Sequence, residues 1–296
     1  MLDHSQGSAQ TASDNSGRDY RLKQFEGKLA IVTGAARGIG RGIAQVLAER
    51  GATVALGDID ESGVAAVADD IQAMGGTAMS GFADIADAES IGRFAEQVVD
   101  DFGSVDICVP NAGVIGAPDF ESRIGHVETD WNATWNINVM GTVNTISAVR
   151  DHMQEQRHGK IVIVSSQGGR PPAGSGGMWG GTVQQPYLIS KSALIQYMHH
   201  LAIEMGPFNV NVNAVCPGTL WTPMWEKIAA NHAVVNPELA GLEPREFFAR
   251  TVKANIPLQR APTAVDVGSA VAFLASEDAS EITGQALNVN GGAVMS

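Results

Sequence analysis

The stretch Leu29-Ala30-Ile31-Val32-Thr33-Gly34-Ala35-Ala36-Arg37-Gly38-Ile39-Gly40 decides the fold. Its first four apolar residues read as a buried strand. Apolar residues then recur at Ile39, Ile43, Val46 and Leu47, the i, i+4, i+7, i+8 spacing of an amphipathic helix. Gly34, Gly38 and Gly40 make the turn between the two. Glycines in a strand-to-helix turn let the backbone approach a pyrophosphate at the helix N-terminus. A simple turn or close helix packing would also explain them, and the spacing differs from the Gly-x-Gly-x-x-Gly fingerprint. Asp58 adds weight, because it ends the second strand about 20 residues further on, where an acid binds the adenosine ribose hydroxyls.

Working outward, the same alternation continues. Thr53–Leu56 reads as a second strand, followed by a helix carrying Val64, Val67, Ile71 and Met74. A third strand runs from Thr77 to Phe82, and Ile91, Phe94, Val98 and Phe102 mark the next helix. Val105–Val109, Lys160–Val164, Val210–Val215 and Ala286–Val289 are the remaining strands. Strands alternating with helices predict α/β: a doubly wound parallel sheet of about seven strands, Rossmann-like, in a single domain over 25–296. Residues 1–24, rich in Ser, Gln, Asp and Gly, read as a disordered tail. Two stretches break the rhythm. Residues 167–185 are too rich in Gly and Pro for a regular element, and residues 220–259 carry Trp221, Met224, Trp225, Phe247 and Phe248. Both follow carboxyl ends of strands, where ligands bind in open α/β sheets, and both are read as substrate loops.

The formal net charge of −13 over 296 residues argues against nucleic acid or an anionic membrane surface as partner. No run approaches the roughly 18 apolar residues that span a bilayer, and the first residues lack the apolar stretch of a signal peptide. Cys108 and Cys216, the only cysteines, sit in apolar strands and read as buried free thiols. That fits a reducing compartment and a cytoplasmic protein. The seven histidines show no metal-ligand spacing, so no metal is expected.

Tyr187-Leu188-Ile189-Ser190-Lys191 carries the chemistry. On a helix, residues four apart share a face, so the phenol and the ammonium can point into one site. A nearby cation favours the phenolate. A tyrosine tuned below its ordinary pKa of about 10 can accept an alcohol proton while the carbon loses hydride.

Thr33 to Gly40, Asn111-Ala112-Gly113 and Tyr187-x-x-x-Lys191 occur in the order and context of the short-chain dehydrogenase/reductase family, which the chain resembles from about Phe25 to Gly292. The resemblance implies a catalytic set of Asn138, Ser166, Tyr187 and Lys191. Asn138 would hold a water in a proton relay, Ser166 would bond the substrate oxygen, Tyr187 would be the acid/base, and Lys191 would bind the nicotinamide ribose and lower the tyrosine pKa. Ser165 competes with Ser166 for its role. For the cofactor the resemblance implies Gly34, Arg37, Gly38, Ile39, Gly40, Asp58, Asp84, Ile85, Asn111, Ala112 and Gly113. It adds Tyr187 and Lys191, then Pro217, Gly218, Leu220 and Thr222 against the nicotinamide. Ser166, Tyr187, Trp221 and Trp225 would meet substrate, whereas Trp131 is read as core. Pro110 and Asn290 depart from the family's usual asparagine and aspartate.

Asp58 would repel the 2′-phosphate of NADP and bond the ribose of NAD, so NAD is favoured, with Arg37 the counter-signal. The expectation is an NAD-dependent oxidoreductase interconverting a small-molecule secondary alcohol and a ketone. The alternatives are an NADPH-dependent carbonyl or 3-oxoacyl reductase and, from another class, a non-catalytic dinucleotide-sensing module. A homo-oligomer, tetramer or dimer, is expected. Leu194, Ile195, Tyr197, Met198 and Leu201 give the tyrosine helix more apolar positions than one buried stripe needs.

Overall fold

The computed structural model describes residues 23–170, 185–235 and 241–295. All but the last two residues of the expected tail, and residues 171–184 of the glycine-rich loop, lie outside the described residues. So do residues 236–240 of the second expected loop.

The strands are β1 (Leu29–Thr33), β2 (Thr53–Asp58), β3 (Thr77–Phe82), β4 (Ile107–Val109), β5 (Gly159–Val164), β6 (Val210–Pro217) and β7 (Ala286–Val289). They form one sheet in the order β3-β2-β1-β4-β5-β6-β7, every pairing parallel. The chain moves outward from β1 through β2 to β3, then returns to β4 on the other side of β1. The crevice beyond the carboxyl ends of β1 and β4 is therefore the switch point at which such sheets bind ligands. β3 and β7 match the ranges read from the sequence. β4 starts later than expected, although the Asp106 backbone still bonds Leu29 (3.0 Å) and Lys160 (2.8 Å); its carboxylate accepts from the Leu29 amide (2.9 Å) and pairs with Lys28 Nζ (3.0 Å).

Helices cover both faces. On one face, α1 (Gly38–Glu49), α2 (Glu61–Ala73) and α9 (Ala264–Ala275) bury Ile43, Leu47, Val67, Ile71, Val267 and Val271 against Ala30, Val32 and Val54. On the other, α3 (Ala88–Phe102), α5 (Gly141–Gln156) and α6 (Gln185–Met205) bury Phe94, Ile146, Met153, Leu194, Met198 and Leu201 against Ile31, Ile161 and Val212. A short helix α4 (Glu128–Thr134) runs into α5 through a π-helical segment, Trp135–Met140. Helices α7 (Pro223–Val235) and α8 (Pro244–Asn255) lie in the expected second substrate loop and pack a separate cluster of Ile115, Phe120, Tyr187, Trp225, Ile228 and Ala229.

Two expectations are corrected here. Leu194, Ile195, Met198 and Leu201 are buried in the chain's own core, so their excess does not mark an interface. The apolar residues that α6 leaves exposed are Ile189 and Ile203. Trp131 is not core either. It is half-buried and meets His126 edge-on.

Candidate active site

The glycine turn closes on itself. Gly34 has φ +67°, and a Cβ there would stand 2.7 Å from the Ala112 Cα. A Cβ on Gly40 would collide with the Gly34 carbonyl. Only glycine permits both the left-handed backbone and this approach. Asn111 holds the turn from β4, its Nδ2 donating to the carbonyls of Thr33 (2.9 Å) and Gly34 (3.1 Å). Asn111 therefore shapes the cleft, with its amide spent on protein backbone. At the start of α1, Arg37 makes no side-chain cap and no acid stands in the first turn. The helix presents uncapped amides with their positive dipole end, which fits a diphosphate. Asp58, at the end of β2, accepts from the amides of Ala36 (3.0 Å) and Asp60 (3.0 Å). It is half-buried beside the turn, so its carboxylate fits ribose hydroxyls. Arg37 is exposed and its charge helps hold the Asp60 carboxyl below its ordinary value, after hydrogen bonds from Gly63 and Ser62.

The remaining cofactor candidates divide by what their side chains do. Asp84 accepts from the Ala86 amide (2.9 Å). Ile85 is buried against Gly141. Ile39 packs partly buried on the core. Leu220 is buried in the α1–α9 core, leaving its backbone available to a ligand. Pro217 closes β6, and the Gly218 amide donates to the Val289 carbonyl (3.0 Å). The Thr222 methyl lies 3.7 Å from a Cβ built on Gly38, so the segment after β6 reaches the glycine turn. Asn290 accepts from Gly292 N (3.0 Å), as an aspartate would, and its amide also donates to the Val294 carbonyl (3.1 Å).

At the carboxyl end of β5 the two serines separate. Ser165 donates to the Lys191 carbonyl (2.8 Å) and is buried as a brace for α6. Ser166 accepts from the Gly168 amide (3.1 Å), and its hydroxyl is near enough to lower the Tyr187 phenol. Lys191 Nζ lies 5.8 Å from the Tyr187 ring centroid and donates to the Val164 carbonyl (2.9 Å). A Cβ on Gly113 would stand 3.0 Å from Asn138 Oδ1 and 3.5 Å from Lys191 Nζ, so amide and ammonium face the same glycine. The fold thus brings Asn138, Ser166, Tyr187 and Lys191 together from three elements.

Asn138 lies in the π-helical segment. Its Oδ1 accepts from Val114 N (2.8 Å) and its Nδ2 donates to the Val114 carbonyl and to Ser190 Oγ (2.9 Å each). Both amide donors are spent on protein, whereas Oδ1 has accepted one bond of two, and the Asn138 carbonyl accepts from Thr142 Oγ1 (2.8 Å).

The electrostatics differ from expectation. Burial pushes the Tyr187 phenol up; the Ser166 hydroxyl opposes it, and Lys191 is not among the causes. Burial instead pulls Lys191 down to about 8. With solvent excluded, and with Cys216 opposing burial only weakly, the charged form is the less stable one.

The side expected to face substrate is aromatic. Trp225 is buried in the cluster with Tyr187 and meets Phe248 at 5.0 Å. Trp221 also meets Phe248, at 5.2 Å.

Sequence reasoning missed what fixes this wall. Arg123 forks onto the buried Asp130 (2.7 and 2.8 Å). Asp130 also accepts from the Ala117 and Val127 amides, and its carboxyl is held down at about 2, first by Arg123. Buried Asn231 of α7 donates to the carbonyls of Phe120 (3.0 Å) and Arg123 (2.7 Å), clamping α7 to the loop after β4. Only the acid at the third position of α4 had a readable signal, as a helix cap. Among the described residues no cluster could hold a metal, and no helix is long and apolar enough to cross a membrane.

A family model described as enoyl-(acyl carrier protein) reductase matches residues 34–294. The (2S)-[(R)-hydroxy(phenyl)methyl]succinyl-CoA dehydrogenase subunit BbsD of Thauera aromatica is 34% identical over 274 residues, covering 90% of this chain and 97% of the relative. The 3-oxoacyl-[acyl-carrier-protein] reductase FabG of Thermotoga maritima is 34% identical over 272 residues, covering 92% and 100%. The crystal structure of an NAD+-bound xylitol dehydrogenase superposes with a TM-score of 0.79 at 29% identity, covering 91% of this chain and 100% of that one.

Proposed function

The chain belongs to the short-chain dehydrogenase/reductase family, and from that premise we propose that it is an NAD-dependent oxidoreductase interconverting a secondary alcohol and a ketone. The observation that carries the reading is Lys191 Nζ 5.8 Å from the Tyr187 ring and facing Gly113 together with Asn138, beside a glycine turn overlooked by Asp58.

When bound, the nicotinamide supplies a two-electron acceptor for the hydride. Ser166 orients the alcohol oxygen and Tyr187 takes its proton as the carbon gives up hydride. Lys191 anchors the ribose and returns charge to the phenol, an effect that needs the ammonium turned from Val164 towards the ring. Asn138 fixes the floor between Gly113 and α6. The aromatic wall from Trp225 to Trp221 excludes water and receives an apolar substrate body. Gly34, Gly38 and Gly40 seat the diphosphate, and Asp58 bonds the adenosine ribose.

An NADPH-dependent 3-oxoacyl reductase is the second reading. The exposed Arg37 beside Asp58 and Asp60 favours it, together with the likeness to FabG. Oligomerisation, as tetramer or dimer, is supported by Ile189 and Ile203 on α6 and Trp135 and Met140 ahead of α5, all exposed. Two buried free cysteines support a reducing, cytoplasmic setting. The deciding experiment oxidises a panel of secondary alcohols with NAD and with NADP, following absorbance of the reduced cofactor. Turnover with NADP alone would replace the first reading by the second. Binding of NADH without turnover of any member would favour the sensing module.

A further inference from the structure

Arg245 stands in the first turn of α8, with its guanidinium carbon 4.2 Å from the Trp221 ring centroid. It is exposed, and it forms no ion pair with a carboxylate among the described residues. Two other cations of α7 and α8 are paired. Arg250 pairs with Glu246 (2.7 Å), and Lys227 pairs with Glu121 (3.2 Å).

Stacking on an indole occupies the guanidinium face and leaves its edge N–H donors free. That edge is a planar fork matched to a carboxylate. The cation also stands where an anion would need it. Trp221 continues through Phe248 to Trp225, which shares a cluster with Tyr187, so one apolar wall leads from the phenol to the charge. The chain carries a formal net charge of −13. Its general field repels anionic ligands, and a site that accepts one needs a local cation.

We propose that Arg245 is a specificity-determining residue that pairs with a carboxylate borne by the substrate. The substrate class is then a hydroxy acid, or its keto acid, with an apolar body between the reacting carbon and the carboxylate. This rests on the oxidoreductase reading. The shared chemistry is an anion at the end of the aromatic wall, and the diphosphate of the dinucleotide is the other source of one.

The test uses matched pairs, 4-(1-hydroxyethyl)benzoate and 9-hydroxydecanoate, which carry an apolar body between the carbinol and the carboxylate, each against its methyl ester, with the full-length wild type, Arg245→Met and Arg245→Lys. Methionine keeps an apolar chain on Trp221 without charge or fork. Wild type is expected to favour each acid over its ester at least tenfold in kcat/KM. That preference shrinks as potassium chloride is raised. Arg245→Met is expected to bring the ratio to within about twofold of one, mainly through KM, and Arg245→Lys to recover part of it. The NADH dissociation constant stays within about twofold throughout.

Equal use of acid and ester by wild type would overturn the proposal. So would an equal loss on acid and ester in Arg245→Met, which would reduce Arg245 to a brace for Trp221. Weakened NADH binding with an unchanged acid-to-ester ratio would move the anion to the dinucleotide. Failure of wild type to bind NADH or oxidise any alcohol would instead remove the oxidoreductase reading itself.

Discussion

Replacing Lys191 by methionine removes a buried positive charge while keeping an unbranched side chain. Lys191 is 4% exposed, and burial lowers its ammonium from the ordinary 10.5 to about 8. That fall corresponds to about 3 kcal/mol by which the charged form burdens the folded state at neutral pH. Opposing it is the hydrogen bond from Nζ to the Val164 carbonyl. Its loss leaves a shielded acceptor, at a cost on the order of 1–3 kcal/mol. Lys191→Met is therefore expected to be as stable as wild type at pH 7, or more stable by up to about 2 kcal/mol, while losing turnover. The pH dependence separates the two contributions. Between about 8 and 10.5 the unfolded chain holds a proton on Lys191 that the native chain has released. Wild type consequently gains stability as pH rises through that window, and loses it as pH falls. The variant has no such group, so wild-type stability minus variant stability should climb by about 3 kcal/mol across the window. Urea denaturation of both proteins at a series of pH values measures it. A difference that stays flat would refute the account of an unpaired buried ammonium.

Asp58→Asn removes the charge and keeps an acceptor for only one of the two amides, because Ala36 N bonds Oδ2 and Asp60 N bonds Oδ1; the ratio of kcat/KM for NAD over NADP is expected to fall at least tenfold, and an unchanged ratio would end the assignment of Asp58. Tyr187→Phe keeps the packing of the aromatic cluster and removes the exchangeable proton, so turnover should drop by about 10²- to 10⁴-fold with the NADH dissociation constant, read by fluorescence titration, nearly unchanged. Arg123→Met strips the buried Asp130 of its fork, and stability should fall by about 3–5 kcal/mol in urea denaturation. In wild type the stability contributed by Asp130 is present above its ordinary 3.8 and is lost as pH falls towards about 2, so acid titration of wild type against Arg123→Met should show the two converging.

The sheet was legible because strands buried on both faces leave short apolar runs that local punctuation bounds. Pro110 and the glycines after β7 are examples. The glycine turn and the Tyr187–Lys191 pair were legible for a related reason, since each is a short-range spacing. What the sequence hid is long-range or contextual. Leu194, Ile195, Met198 and Leu201 recur with helical period whether they face a core or a partner subunit, and period alone cannot separate the two. Arg123 and Asp130 find each other only because the loop after β4 folds back over α4. Asn231 meets Phe120 and Arg123 across more than a hundred residues. The pKa of Tyr187 follows from how much water the finished site excludes, which no spacing encodes. Nor does any spacing say that Lys191 donates to Val164.

The π-helical segment Trp135–Met140 has a consequence for how this protein can be edited. A π turn holds one residue more than an α turn, so the feature is a matter of chain length and can survive substitution at each of its positions. Removing a single residue between Trp135 and Ile137 acts differently. A regular α-helix would then run from α4 into α5, and everything on one side of the deletion would rotate by about 100° relative to the other. If α4 holds its place, Asn138 swings away from Val114 and Ser190 while Ile146, Val149 and Met153 leave the sheet; if α5 holds, Asp130 on α4 turns away from Arg123 and Ala117. Length at this point is thus a coordinate of the site, and an insertion–deletion scan would find it where an alanine scan passes over.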